Sequence, residues 1–282
     1  YVNRQLCDLE PLLKENGKDI IDAVGWKYIN CCRIGGTLYG LPNNRDFAAG
    51  WDSYALRKDI LNKYNIKASD IKNIKDLEKV FDLVLEKENG VVPLACTGSL
   101  FGNFSLADGI NSLVSGGHEN YGQEDEVVDI FETEEYKNRL KQVRKWYLKG
   151  YMGDNILENT STITEMIRNG EAFAETVKNK PGMKMQESLK CEREMEIVQF
   201  GQPAISYNSM AAFPWMITKN SISPELSMKL LNLFYSDEDI MNLLAYGIEG
   251  IDYVETEDGH IRAPEGKKGN IMEVHGVCQI SL

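Results

Sequence analysis

Four places in this 282-residue chain set hydrogen-bonding side chains beside flat rings. Asn43, Asn44, Arg45 and Asp46 are followed by Phe47 and Trp51. Thr97, Ser99, Phe101 and Phe104 crowd one segment rich in glycine and serine. Trp215 stands beside Pro214, and Tyr246 opens the run Tyr246-Gly247-Ile248-Glu249-Gly250. In that run the two glycines permit sharp bends and hold the carboxylate of Glu249 in a short, constrained segment. Rings of this kind offer apolar area to a bound small molecule, while amides, carboxylates and hydroxyls fix its polar groups by directional bonds. The chemistry on offer is binding.

Catalytic signatures are missing by contrast. There is no GxSxG and no GxxxxGK[ST]. His118, His260 and His275 stand far apart in polar or loop contexts. The six cysteines (Cys7, Cys31, Cys32, Cys96, Cys191 and Cys278) have no CxxC spacing and no histidine at metal-ligand distance. No catalytic residue, metal set or cofactor is expected. Carboxylate pairs abound, yet a glycosidase needs two of them facing one cleft, which spacing along the chain cannot show. A glycoside hydrolase or transferase therefore stays open as an alternative, as does a receptor for a peptide or polyamine. Each binding residue also has a plain structural reading. Asn-Asn is a common turn pair, Thr97 to Phe101 can be loop packing, a tryptophan in an apolar strand can be core, and Glu249 can form a structural salt bridge.

The elements that must position these groups follow from periodicity. Residues 29–41 predict a hairpin turning at Gly35-Gly36. Helices are predicted over 53–64, 74–88, 134–149 and 164–168, and strands over 91–95, 171–177 and 195–200. Ala211–Thr218 reads as a strand interrupted at Pro214. Two tandem helices follow, the first opening at Ser223-Pro224 with Leu226, Leu230, Leu233 and Phe234 as its apolar stripe, the second with Ile240, Leu243 and Leu244 as its buried side. Trp146 and Tyr147 are expected in the core. Strands alternating with helices imply an α/β architecture.

Three segments then carry a family resemblance, in order along most of the chain. They are Gly35-Gly36-Thr37-Leu38-Tyr39-Gly40-Leu41-Pro42 with Tyr54–Leu61, the run from Phe131 to Ala174, and Ser221–Val254 with its Tyr246–Val254 end. They resemble the bacterial extracellular solute-binding proteins of family 1, the sugar-type receptors of ABC importers, and within it a lipoprotein branch of Gram-positive gut bacteria. The resemblance implies a type II, two-lobed periplasmic-binding-protein-like α/β fold with hinge crossings between the lobes. It assigns 1–42 and 203–250 to lobe one, whose N-terminal part is expected to be missing, and 43–202 and 251–282 to lobe two. It implies a sugar or oligosaccharide bound between the lobes by hinge closure, with Asn43, Asn44, Asp46, Trp51, Thr97, Ser99, Phe101, Trp215, Tyr246 and Glu249 lining the cleft. The implied partners are a carbohydrate ligand and membrane permease subunits, with the receptor itself a monomer. It also implies an extracellular, cell-surface lipoprotein whose signal and anchor lie upstream of Tyr1.

Charge bounds the partners independently. With 43 acidic and 31 basic residues the net charge is −12. Nucleic acid, whose binding displaces counterions with a basic face, is not expected, nor is a polybasic hold on anionic lipid. No apolar run approaches the roughly 20 residues needed to span a bilayer.

Overall fold

The computed structural model describes residues 3–43, 48–96, 113–115, 127–153, 156, 161–205, 210–255, 261–262 and 264–265. The chain divides into two units, one of Tyr1–Phe47 with Tyr207–Leu282 and one of Ala48–Ser206. In chain order the first unit begins with α1 (Glu10–Asn16), α2 (Lys18–Val24), α3 (Trp26–Ile29), β1 (Arg33–Ile34) and β2 (Thr37–Leu38). The second unit holds β3 (Ala49–Arg57), α4 (Lys58–Lys63), α5 (Ile74–Lys87), β4 (Val92–Leu94), β5 (Leu113–Ser115), β6 (Val127–Asp129), α6 (Glu134–Leu148), α7 (Ile163–Asn169), β7 (Ala172–Asn179), α8 (Met183–Lys190), β8 (Met195–Gln199) and β9 (Pro203–Ala204). The chain then returns to the first unit for α9 (Pro224–Leu233), α10 (Glu238–Tyr246), β10 (Val254–Glu255) and β11 (Ile261–Arg262). The class is α/β, as expected from the alternation.

In the Ala48–Ser206 unit a sheet of order β4-β7-β3-β8 forms the frame, with β9 added beside β3. β4 runs parallel to β7, and β3 runs antiparallel to both β7 and β8. Helices bury both faces. Tyr54, Leu56 and Phe173 pack with Ile60 and Leu61 of α4, Phe81 of α5 and Trp146 of α6. Ala55, Ala172 and Val177 pack with Met166 and Ile167 of α7 and Met183 of α8. This double burial explains one correction. Residues 53–57, expected to open a helix, are the centre of β3, and the helix starts only at Lys58. A strand covered on both sides reads as a continuous apolar run without alternation, which periodicity cannot tell from helix. Three helices of this unit open at side-chain caps. Asn73 accepts from the amides of Lys75 and Asp76, Thr133 from Tyr136, and Thr162 with Glu165 forms a capping box.

The other unit packs α1, α2 and α9 around Leu9, Leu13, Ile20, Leu38, Leu41, Met228 and Leu231. Its hairpin turns where Gly35 (φ +57°) and Gly36 (φ +85°) both take positive φ, the requirement of a two-residue turn matching strand twist. Three expectations fail here and nearby. Ala211–Thr218 is no strand; its ladder pairing is limited to the isolated bridges Leu41–Trp215 and Leu6–Thr218, because Pro214 has no N–H for a ladder. Tyr147 is exposed while its neighbour Trp146 is core, since successive helical residues point to different faces. Of the predicted apolar stripes of α9 and α10, Phe234 packs against the core and Ile240 is half-buried, but the leucines lie outward. Leu226, Leu230, Leu233, Leu243 and Leu244 are exposed, and the buried sides are Met228 and Leu231 on α9 and Met241 on α10. Both helices carry apolar residues on more than one side, and spacing does not say which side wins.

Among the described residues Cys7, Cys31, Cys32, Cys96 and Cys191 are free thiols. No described helix is long and apolar enough to cross a membrane.

Candidate functional site

Two groups of the expected binding residues are placed by the first unit. Asn43 is buried at the end of the segment leaving β2. Two anchors hold that segment. Leu41 and Trp215 exchange backbone hydrogen bonds of 2.9 and 2.8 Å, and the Tyr235 hydroxyl donates to the Pro42 carbonyl. Gly40 permits the approach, because a Cβ there would stand 2.7 Å from Pro214 Cβ. Tyr235→Phe keeps the ring and leaves the buried carbonyl short of a donor. It should lower stability by about 1–3 kcal/mol, read from the urea midpoint; an unchanged midpoint would show that the anchor carries no weight.

Trp215 thus lies near Asn43 through the Leu41 bridge. Its ring packs on Phe234, with centroids 5.6 Å apart and planes at 56°. It is half-buried at the margin of the core, and its Nε1 is buried with no hydrogen-bond partner among the described residues. A lone buried donor of this kind calls for an explanation, and a second polar group brought to it is one.

Tyr246 and Glu249 share the turn after α10. Gly247 (φ +86°) and Gly250 (φ +78°) bend it, and the Asp252 carboxylate accepts from the Ile248 amide at 2.9 Å. Gly250 donates to the Tyr253 carbonyl at 2.7 Å, and the Tyr246 and Tyr253 rings meet edge to face at 5.8 Å. Glu249 is exposed at the tip of this rigid turn. Among the described contacts, none joins this pair to Asn43 and Trp215. Asn44, Asp46, Thr97, Ser99 and Phe101 lie outside the described residues.

The second unit supplies the backbone position of Trp51, within a bulge of β3. The register with β7 shifts between Gly50 and Ser53, and Asp52 takes φ +46°. Bulges re-aim side chains and recur beside functional sites. Polar groups not foreseen from sequence gather there. Asp52 accepts from Arg139 of α6, Asn179 donates to Gln199 Oε1 at 2.7 Å, and Gln199 donates to the Gly201 carbonyl at 2.8 Å. A Cβ at Gly50 would come within 2.1 Å of Gln199 Oε1, so any larger residue there would displace the Gln199 amide from Asn179. A glycine two residues before an aspartate in an apolar run was the available signal.

One group among the described residues can bring three ligand atoms together. Glu175, Glu187 and Cys191 place theirs within 4.8 Å of one another, all buried. The Lys190 ammonium already stands 3.1 Å from Glu187 and 3.9 Å from Glu175. Burial, then the Glu175 charge, pushes the Cys191 thiol up to about 12. The cluster is built to share a proton, whose consequence is taken up in the Discussion.

No family model matches the chain. Two curated relatives do. The chain is 27% identical over 271 residues to a carbohydrate ABC transporter substrate-binding protein of Streptococcus pneumoniae, covering 94% of this chain and 54% of that one. It is 24% identical over 245 residues to the polygalacturonan/rhamnogalacturonan-binding protein YtcQ of Bacillus subtilis, covering 80% of this chain and 47% of that one. The chain thus spans about half the length of the curated relatives it matches. Among solved structures, the N-glycan transport solute binding protein NgtS of Streptococcus pneumoniae superposes with a TM-score of 0.80 at 25% identity, over 95% of this chain and 59% of that one. The order of motifs, the α/β fold and both comparisons agree: the chain is similar over nearly its whole length to a carbohydrate ABC transporter substrate-binding protein and to an N-glycan transport solute binding protein.

Proposed function

We propose that this chain is the ligand-binding polypeptide of an ABC importer for a sugar or oligosaccharide and performs no catalysis of its own. The observation that carries this reading is the superposition on NgtS across 95% of the chain at a TM-score of 0.80. Both curated relatives are named as binding proteins, one for carbohydrate and one for polygalacturonan and rhamnogalacturonan. Asn43, Trp51, Trp215, Tyr246 and Glu249 supply rings and hydrogen-bonding groups of the kind a pyranose needs. A permease partner, an extracellular location with a lipid anchor, a monomeric state and closure of the lobes about hinge crossings belong to the same proposal.

A thermal-shift screen over mannose- and N-acetylglucosamine-containing glycans, galacturonan oligomers, peptides and polyamines tests it. A bound glycan at 100 times its dissociation constant adds about 2.7 kcal/mol and raises the melting temperature. Glu249→Ala, at an exposed position, should weaken the glycan that scores by roughly tenfold and leave the ligand-free melting curve unmoved. A shift confined to peptides or polyamines, or new reducing ends released from the glycans, would overturn the reading.

A further inference from the structure

Three strands of the Ala48–Ser206 unit end at one edge. β4 runs parallel to β7, and β7 and β8 both run antiparallel to β3, so the carboxyl ends of β4, β7 and β8 gather where β3 begins. Open α/β sheets bind ligands outside the carboxyl ends of their strands. The β3 bulge lies on that edge. Its backbone is held at both ends: Gly50 pairs with Asn179 of β7 and with Pro203 of β9, the Ser53 hydroxyl donates to the Gly50 carbonyl at 3.1 Å, and the Asp52 carbonyl accepts from the Phe200 amide at 3.1 Å. Trp51 stands between these fixed points.

The middle of the bulge is strained. Asp52 takes φ +46°, a conformation that crowds any residue with a Cβ and persists only where its surroundings impose it. Arg139 of α6 supplies that hold. Its Nη2 donates to the Asp52 carboxylate, while Nη1 donates to Gln142 at 3.2 Å and keeps the guanidinium aligned. α6 does not need this pair for its own place. Its C-terminal half is fixed to α5, with Lys145 Nζ 2.5 Å and Trp146 Nε1 2.8 Å from Glu78 and Lys149 Nζ 3.0 Å from Asp82. The side chains of Arg139 and Asp52 are 18% and 31% exposed, and an ion pair this open to water adds little to global stability. Its weight falls on the local conformation, where a helix anchored elsewhere grips a strained strand residue.

We propose that Arg139 is a positioning residue for the ligand site: by gripping the Asp52 carboxylate it fixes the β3 bulge, and with it the backbone at Trp51, on the edge where β4, β7 and β8 end. The inference rests on the functional reading above and adds to it a residue that acts through Asp52 rather than by touching the ligand.

Two measurements test it. The Phe200 amide is bonded to the Asp52 carbonyl, so its hydrogen exchange, read by NMR in the ligand-free protein, reports the bulge. Arg139→Gln should speed that exchange about tenfold and leave the melting temperature within about 3 °C. The dissociation constant for a mannose- and N-acetylglucosamine-containing glycan should rise about tenfold. Asp52→Ala should weaken binding equally, and Arg139→Gln with Asp52→Ala should weaken it no further, because both changes break one contact. In a parent that binds the glycan, four results would overturn this inference alone. Phe200 exchange stays as in the parent; exchange quickens while affinity holds; the double variant binds roughly a hundredfold more weakly, so that Arg139 touches the glycan itself; or the melting temperature falls well beyond 3 °C, so that the pair is simply structural. A parent that binds no glycan would overturn the functional reading, and this inference with it.

Discussion

Phe81→Ala should be among the most damaging single substitutions in this chain, costing about 3–5 kcal/mol and lowering the melting temperature of the Ala48–Ser206 unit by roughly 6–20 °C. Phe81 is fully buried on α5 and touches three other rings. Its centroid lies 5.6 Å from Trp146, 5.3 Å from Tyr151 and 6.3 Å from Phe173, each pair edge to face. This geometry adds to the area term, because ring edges meet ring faces. The partners are tethered independently and cannot collapse inward. Trp146 Nε1 donates to Glu78 at 2.8 Å, and the Tyr151 hydroxyl donates to Asp82 at 2.5 Å. A cavity would therefore persist, and the cost sits at the high end of the range. Leu85→Ala on the same helix is the control, since Leu85 is 46% exposed and should cost under about 1 kcal/mol. Hydrogen exchange of α5 peptides along a urea series reads both. Equal losses for the two variants would show that the aromatic cluster is not the closing element of this core.

The sequence carried this part of the fold well and other parts poorly, for physical reasons that differ. α5, α6 and α7 were readable because each opens at a side-chain cap and buries one stripe. α8 escaped notice because Gly182 starts it with no side-chain cap and its sequence mixes lysine and glutamate with methionine. The second half of β3 was read as the start of a helix because both its faces are covered. α9 was placed correctly and turned the wrong way, because its two apolar stripes look alike until α1 and α2 choose one. Of the candidate site, the Gly247–Gly250 turn around Glu249 was legible, since glycine with positive φ has a local cause. The polar group at the β3 bulge was not. Asp52 and Arg139 are 87 residues apart, and nothing local to either announces the other. Asn179 and Gln199 likewise meet only once β7 and β8 have paired with β3.

The buried cluster on β7 and α8 should make stability fall as pH rises from about 4.5 to about 7. Glu175 is 3% exposed in the sheet, facing Glu187, Lys190 and Cys191. Burial first, and then the negative charge of Glu187, push its carboxyl up to about 7, with Lys190 pulling the other way. Two carboxylates against one ammonium leave an uncompensated negative charge if both ionise, so the pair keeps a proton. The sign follows from linkage. A carboxyl whose folded pKa is raised gives its full stabilisation below the unfolded value near 4.5, loses it as pH climbs towards about 7, and gives no more above that. The loss is on the order of 3 kcal/mol. Asp59, Glu78 and Glu88, whose carboxyls are held below their usual range, act oppositely and only at lower pH. The difference between parent and Glu175→Gln therefore isolates the cluster. Glutamine keeps the shape and cannot ionise, so the variant should hold its stability from pH 5.5 to pH 8 and overtake the parent at the alkaline end. Urea midpoints at half-unit intervals of pH read this directly. Parallel curves for the two proteins would show that Glu175 is ionised throughout, with Lys190 alone sufficient to carry both carboxylates.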